Sequence, residues 1–343
     1  MTLNTGKGSH GAGRHFVWLR LRIGIAALVI GAPVYAAEPE IISKTPAAVG
    51  PVDGIVWNLP SGEPSTIDPA NAATLQGAGV VTNLWDTLVT VDENYNLSDS
   101  LASFKVVDPK KVVYKIRNDA HFWDGSQVTA EDVAFSMKRT SDPANIMSFI
   151  YANVASIDVT AVDEVTVSFS KPDEMFIAEM ATIAGMVMKK TFVEAAGKAV
   201  GSATGGLMCS GPFKLDSWKA GDSIVISRND AYWNKKRMPF AGTVKFTFVT
   251  DTAAYIQAMK AGEIDGSYEI SPSAIPALQK SDNGRVFFGP SMQSIQLTVA
   301  GWKGPLANIK LRDAFHYLTD RGAIAKIVFK DAATPLYTIL SPE

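Results

Sequence analysis

The run from Val112 to Arg139, VVYKIRNDAHFWDGSQVTAEDVAFSMKR, constrains the fold more than any other part of this 343-residue chain. Val112, Tyr114 and Ile116 alternate with Lys115 and Arg117, the period-two pattern of a strand buried on one face. Asp124-Gly125 then reads as a tight turn, because Gly tolerates positive φ and Asp bonds its own downstream backbone. Thr129 with Asp132 three positions on forms a capping box, so a helix is predicted from there. Its buried face holds Val133 and Met137, with Glu131 and Lys138 left for water. Strand, turn and capped helix in that order belong to an α/β scaffold, and by themselves to any α/β scaffold.

The same reading extends along the chain. Residues 37–53 are rich in Pro and Ala and read as a loose leader. Gly54 to Leu59 reads as a first strand, stopped at Pro60. Ile157 to Val162 and Val165 to Phe169 alternate on either side of Asp163-Glu164, which makes a hairpin. Met175 to Met188 is apolar and Met-rich, a pattern of core packing rather than of a cofactor box. Lys214 to Trp218 and Ile224 to Arg228 form a second hairpin around Ala220-Gly221-Asp222. Val244, Phe246 and Phe248 form another strand, and Asp251 caps a helix that Gly262 ends. Leu311, Ala314, Phe315 and Leu318 fall at i, i+3, i+4 and i+7, so a helix with its stripe facing a core is expected.

Charge and motif content exclude several functions. The first 36 residues carry Lys7, Arg14, Arg20 and Arg22 and no acid, followed by an apolar run from Ile23 to Ile30 and the small-residue site Val34-Tyr35-Ala36. That is a secretory signal peptide cleaved after Ala36; the run falls well short of the roughly 20 apolar residues a membrane span needs. No cysteine follows it to take a lipid. Removing those four bases from the 32 leaves 28 against 34 acids, a balance that argues against a nucleic-acid groove. Cys209 is the single cysteine, so no internal disulfide is available. No GxSxG elbow, GxxxxGK[ST] phosphate loop or HExxH metal pair occurs. Beyond the leader only His121 and His316 remain; Cys209 with either lacks a third orienting group. His316 and Asp320 stand four apart in metal-capable spacing, but two ligands do not make a site.

Taken as ordered strings, these residues are more specific. Arg117, Asp119-Ala120, Phe122-Trp123, Asp124-Gly125, Val128-Thr129-Ala130 and Asp132-Val133 closely resemble the signature of solute-binding protein family 5, the extracytoplasmic receptors of peptide and nickel ABC importers. Three later clusters are similar to that family too: Ser210-Gly211-Pro212-Phe213 with Asn229-Asp230-Ala231-Tyr232-Trp233, then Gly262-Glu263-Ile264-Asp265, then Arg312, Ala314 and Asp320-Arg321.

The resemblance implies an α/β fold of the type II periplasmic-binding-protein kind, with mixed sheets in two to three lobes. Lobe I would comprise residues 37–85 and 209–300, an inserted lobe II residues 86–208, and residues 301–343 would begin a third lobe that is incomplete here. It further implies a monomeric, non-catalytic receptor without a cofactor or bound metal. Such a receptor captures a small solute, foremost an oligopeptide, in a Gram-negative periplasm and presents it to an inner-membrane ABC permease. Nickel chelates, sugars or opines are the alternative ligands, and an inactive fragment the alternative state. Asp68-Pro69, by itself a turn initiator, would open the loop that lines the cleft and leads into a helix from Ala78 to Leu88. Ala73, Thr74 and Leu75 would pair with a peptide backbone and Phe149 would form an aromatic wall. Members of the family continue well beyond a helix like that at 311–318 and take their amine-binding acid from that later part. This chain alone is therefore expected to bind weakly, since one wall cannot exclude water.

Overall fold

The computed structural model describes residues 40–41, 50–92, 94, 96–280, 286–288, 294–330 and 333–338. The signal peptide and most of the leader expected at 1–53 lie outside them. In chain order come β1 (Glu40–Ile41), β2 (Val52–Asn58), α1 (Leu75–Val81), β3 (Val89–Val91), β4 (Leu97–Asp99), β5 (Ala102–Asp108) and β6 (Lys111–Ile116). Then follow α2 (Ala130–Thr140), β7 (Val154–Ala161), β8 (Glu164–Phe169), α3 (Phe176–Glu179) and α4 (Lys190–Ala196). The rest holds β9 (Phe213–Lys219), β10 (Ser223–Arg228), β11 (Ala241–Thr247), α5 (Thr252–Ala261), β12 (Gly266–Ser267), α6 (Ile275–Leu278), β13 (Phe287–Phe288), α7 (Ile309–Leu318) and α8 (Arg321–Ile327).

Two sheets carry the architecture. One is mixed, in the order β12-β2-β11-β10-β9, with β12, β2 and β11 parallel and the other pairs antiparallel. The other is antiparallel, in the order β5-β6-β8-β7. The hairpins arise where the sequence places them: Gly221 at φ 75° turns β9 into β10, and Val162-Asp163 turns β7 into β8. The parallel pair β2 and β11 joins residues nearly 190 apart, so the antiparallel sheet is inserted between strands of the mixed one.

Each sheet has its own core. On the antiparallel sheet, Val112, Tyr114, Val165 and Val167 pack against Val133 and Met137 of α2. Phe176 closes one end by edge contacts with Tyr151 and Phe169, at 5.4 and 5.0 Å between ring centroids. On the mixed sheet, Val80, Val81, Leu84 and Trp85 from α1 and the turn after it cover Ile224, Ile226, Val244 and Phe246. Met186, Met188, Val193 and Cys209 return to this second core. Each such side chain contributes about 1.5–3 kcal/mol on full burial.

Two helices differ from expectation. α1 begins three residues before Ala78 and ends at Val81, not Leu88. Thr74 caps it by accepting the Gly77 amide at 3.2 Å, and Thr82 and Asn83 bond back to the carbonyls of Ala78 and Gly79, side-chain bonds that favour a helix end over another turn. α7 forms where the apolar spacing puts it, but among the described residues its stripe faces no core: Leu311, Phe315 and Leu318 are 48, 43 and 83% exposed. Periodicity fixes which face is apolar; it does not supply the surface that covers it.

Candidate ligand-binding site

In parallel α/β sheets the loops beyond the carboxyl ends of the strands converge on one crevice. Here those ends are Asn58, Thr247 and Ser267, paired in register. Asn58, fully buried, laces them together: its Nδ2 donates to the Val249 carbonyl at 3.0 Å, while its Oδ1 accepts from the Val249 amide at 2.9 Å and from the Thr247 hydroxyl at 3.1 Å. Beyond the lacing lies a cavity of about 180 Å³, walled by Pro60, Ser61, Thr250, Thr252, Tyr255 and Glu269. The Ser61 hydroxyl donates to Oε2 of Glu269 at 3.2 Å, and the Gln76 side-chain amide to the Ser61 carbonyl at 2.9 Å, which ties the cavity to α1. Burial first, and then the Glu269 charge, push the neighbouring Tyr268 hydroxyl up to about 12.

The loop from Thr66 to Leu75 is held in place from below. Asp68 initiates a turn, its carbonyl accepting from the amides of Asn71 and Ala72, as an Asp-Pro pair does. Its carboxylate also takes a two-pronged bond from Arg139 of α2, at 2.7 and 2.6 Å, with side chains 6 and 21% exposed. Gly201, at φ 72°, lies so close that a Cβ there would stand 2.3 Å from the Asp68 nitrogen. Further along, Asn71 bonds Asn145 at 2.8 Å and receives the Ile146 amide at 3.1 Å, and the Met147 amide reaches the Ala70 carbonyl at 3.2 Å. The structure thus sets the 68–75 loop beside the 145–151 segment.

The four residues singled out from sequence sit on these adjoining segments. Ala73 and Thr74 are exposed, and Leu75 is 39% exposed at the start of α1. Phe149 is 67% exposed, an aromatic ring with its face in solvent. Arg139, Ser61 and Glu269 escaped the sequence reading. A capping box announces α2 but not which residue its last turn grips, and a carboxylate after Gly-Glu-Ile-Asp carries no spacing signal.

Most of the signature strings have structural tasks. Asp132 serves the capping box through Oδ2 and accepts the Lys190 amide through Oδ1 at 2.9 Å, linking α2 to α4. Burial raises the pKa of the Asp124 carboxyl, but hydrogen bonds from Lys189 and from Ser126 outweigh it and bring it to about 2. Arg117 grips Asp119 with two nitrogens and lies 4.2 Å from the centre of the Trp233 ring. Tyr232 and Trp233 both donate to Asp86 at 2.8 Å; burial holds that carboxyl above the usual range despite these bonds and the guanidinium of Arg237. Gly211 permits the strand entry to approach the Leu84 carbonyl, where a Cβ would stand 2.4 Å away.

The residues weighed for catalysis or metal do not converge. Cys209 is fully buried in the mixed-sheet core, and burial pushes its thiol well above its ordinary pKa, which suppresses the thiolate nucleophile. His121 Nδ1 is bonded within its own turn to the Asp119 carbonyl. His316 and Asp320 fall on different helices: His316 lies 3.0 Å from an Arg321 nitrogen, and Asp320 caps α8 through the Ala323 amide. Among the described residues no group of three potential ligands could hold a metal ion, and no helix is long and apolar enough to cross a membrane.

The glutathione-binding protein GsiB of Escherichia coli (strain K12) is 25% identical over 324 residues, covering 93% of this chain. OppA of Haemophilus influenzae, solved in complex with RPPGFSPFR, superposes with a TM-score of 0.75 at 24% identity over 84% of this chain and 60% of its own. AgaA of A. tumefaciens R10, solved with agropinic acid, superposes at 0.61 with 25% identity over 66% of this chain and 46% of its own. The fold is that of the type II periplasmic binding proteins. The chain spans 59% of the length of GsiB. The model of the bacterial extracellular solute-binding proteins, family 5, matches residues 97–343, and the chain belongs to that family.

Proposed function

We propose that this chain is the solute-binding part of an ABC importer, exported to the periplasm, where it takes up an oligopeptide for an inner-membrane permease. The observation that carries the reading is the pairing of two exposed segments: Ala73, Thr74 and Leu75 on a loop pinned by Asp68 and Arg139, and Phe149 on the segment bonded to that loop. The Ala73 amide and the Thr74 carbonyl are already bonded, to the Asn71 carbonyl and the Ala78 amide, so the loop is held in one shape and presents its exposed edge to a peptide, while the bare ring supplies apolar area. The two sheets and cores would be lobes I and II, one on each side of the ligand. The family's relatives named for glutathione and solved with a nonapeptide support a peptide; the agropinic acid complex of AgaA supports an opine as the second reading. Isothermal titration of the purified chain with glutathione, a tripeptide library and agropinic acid separates them. Saturable heat with a peptide and none with the opine supports the first reading, and the reverse overturns it.

A further inference from the structure

We infer that Glu269 selects a cationic group on the ligand and that the cavity beside it houses that group; this rests on the binding function proposed above. Glu269 is the one charged residue in the cavity wall. It holds φ 54°, in the left-handed region where Gly or Asn costs less, so a long acidic side chain stands there against the backbone preference. Ser61 orients one carboxylate oxygen from below at 3.2 Å. None of the ion pairs among the described residues involves Glu269, so its charge is not answered within this part of the chain. The remaining wall is mixed: Pro60 and Val249 are apolar, and Thr250, Thr252 and Ser271 bring hydroxyls. A carboxylate and hydroxyl acceptors beside two apolar side chains match an alkylammonium, whose head meets Glu269 and the hydroxyls while its methylenes lie on Pro60 and Val249.

The test uses n-butylammonium chloride and, as its uncharged counterpart, n-butanol. Binding is followed by the methyl NMR signals of Val249, Thr250 and Thr252 in the chain and in Glu269→Gln. Saturable shifts with the ammonium, about fivefold weaker in the variant as befits a partly solvated ion pair, support the inference. Equal affinity in the variant, or equal response to butanol, overturns it. Glu269→Asn, which suits the left-handed backbone and removes the charge, must lose the same affinity; if it does not, the effect in Gln was one of folding. A second arm compares Ala-Lys-Ala with Ala-Ala-Ala. Preference for the lysine peptide that vanishes in both variants supports the selector role, and equal binding of the two peptides overturns it. Butylammonium binding with no binding of either peptide upholds the pocket chemistry and overturns the receptor function.

Discussion

Removing the Asp68 carboxylate should release the candidate binding loop from α2. In Asp68→Ala the Arg139 guanidinium, whose side chain is 21% exposed, keeps partial access to water but loses both of its 2.6–2.7 Å partners. Breaking a buried pair costs about 3–5 kcal/mol, and the solvated edge of Arg139 reduces that to roughly 2. The Ala70 amide, which donates to Asp68 Oδ1 at 3.2 Å, loses its acceptor and adds about 1 kcal/mol. A total near 3 kcal/mol lowers the urea midpoint by about 1 M for a chain with a slope of about 3 kcal/mol per molar. Unfolding followed by tryptophan fluorescence reads it, since Trp57, Trp85, Trp123 and Trp218 all belong to or pack on the mixed-sheet core beneath this loop. The double variant with Arg139→Ala isolates the pair: a coupling of about 2 kcal/mol is expected. Coupling under about 0.5 kcal/mol would refute the view that this ion pair holds the loop.

Four further outcomes follow from particular contacts. Gly201→Ala should cost about 3 kcal/mol by denaturant midpoint, because its Cβ meets the Asp68 backbone at 2.3 Å, whereas Gly125→Ala, also at positive φ but with open space around it, should cost only about 1. Asp124 has its folded pKa depressed from 3.8 to about 2, so its contribution is present above 3.8 and fades as pH falls toward 2; Asp124→Asn should flatten that acid limb in pH-dependent unfolding. Asp86 has the opposite sign: its folded pKa lies above 3.8, so stability is lost as pH rises past that value, and the wild type should decline relative to Asp86→Asn over that rise. Iodoacetamide should label Cys209 at least about a hundredfold faster in unfolded than in native chain, as mass spectrometry would show.

Local chemistry made much of the fold legible. Thr129 with Asp132, Asp251 with Gly262, and the turns at Gly125 and Gly221 are caps and turns whose mechanism lies within a few residues, and all stand where sequence puts them. The strands of both hairpins follow from alternation for the same reason. What sequence could not show is pairing across distance. Asp68 meets Arg139 across 71 positions, Asp86 meets Trp233 across 147, and Ser61 meets Glu269 across 208. The last follows from the parallel register of β2 and β12 and the other two from how distant segments pack, which no local pattern encodes. Leu311 to Leu318 shows the complementary gap, since an apolar stripe names a face without naming its cover.

The central claim is that this chain holds a small solute at the strand ends and leaves it chemically unchanged. Incubating the chain with a defined tripeptide mixture, isolating the complex by rapid gel filtration and weighing the released ligands by mass spectrometry tests it. The expected result is weak but saturable retention of intact peptides, reduced in Phe149→Ala. Recovery of cleaved or otherwise altered peptides, or retention that no peptide concentration saturates, would contradict it.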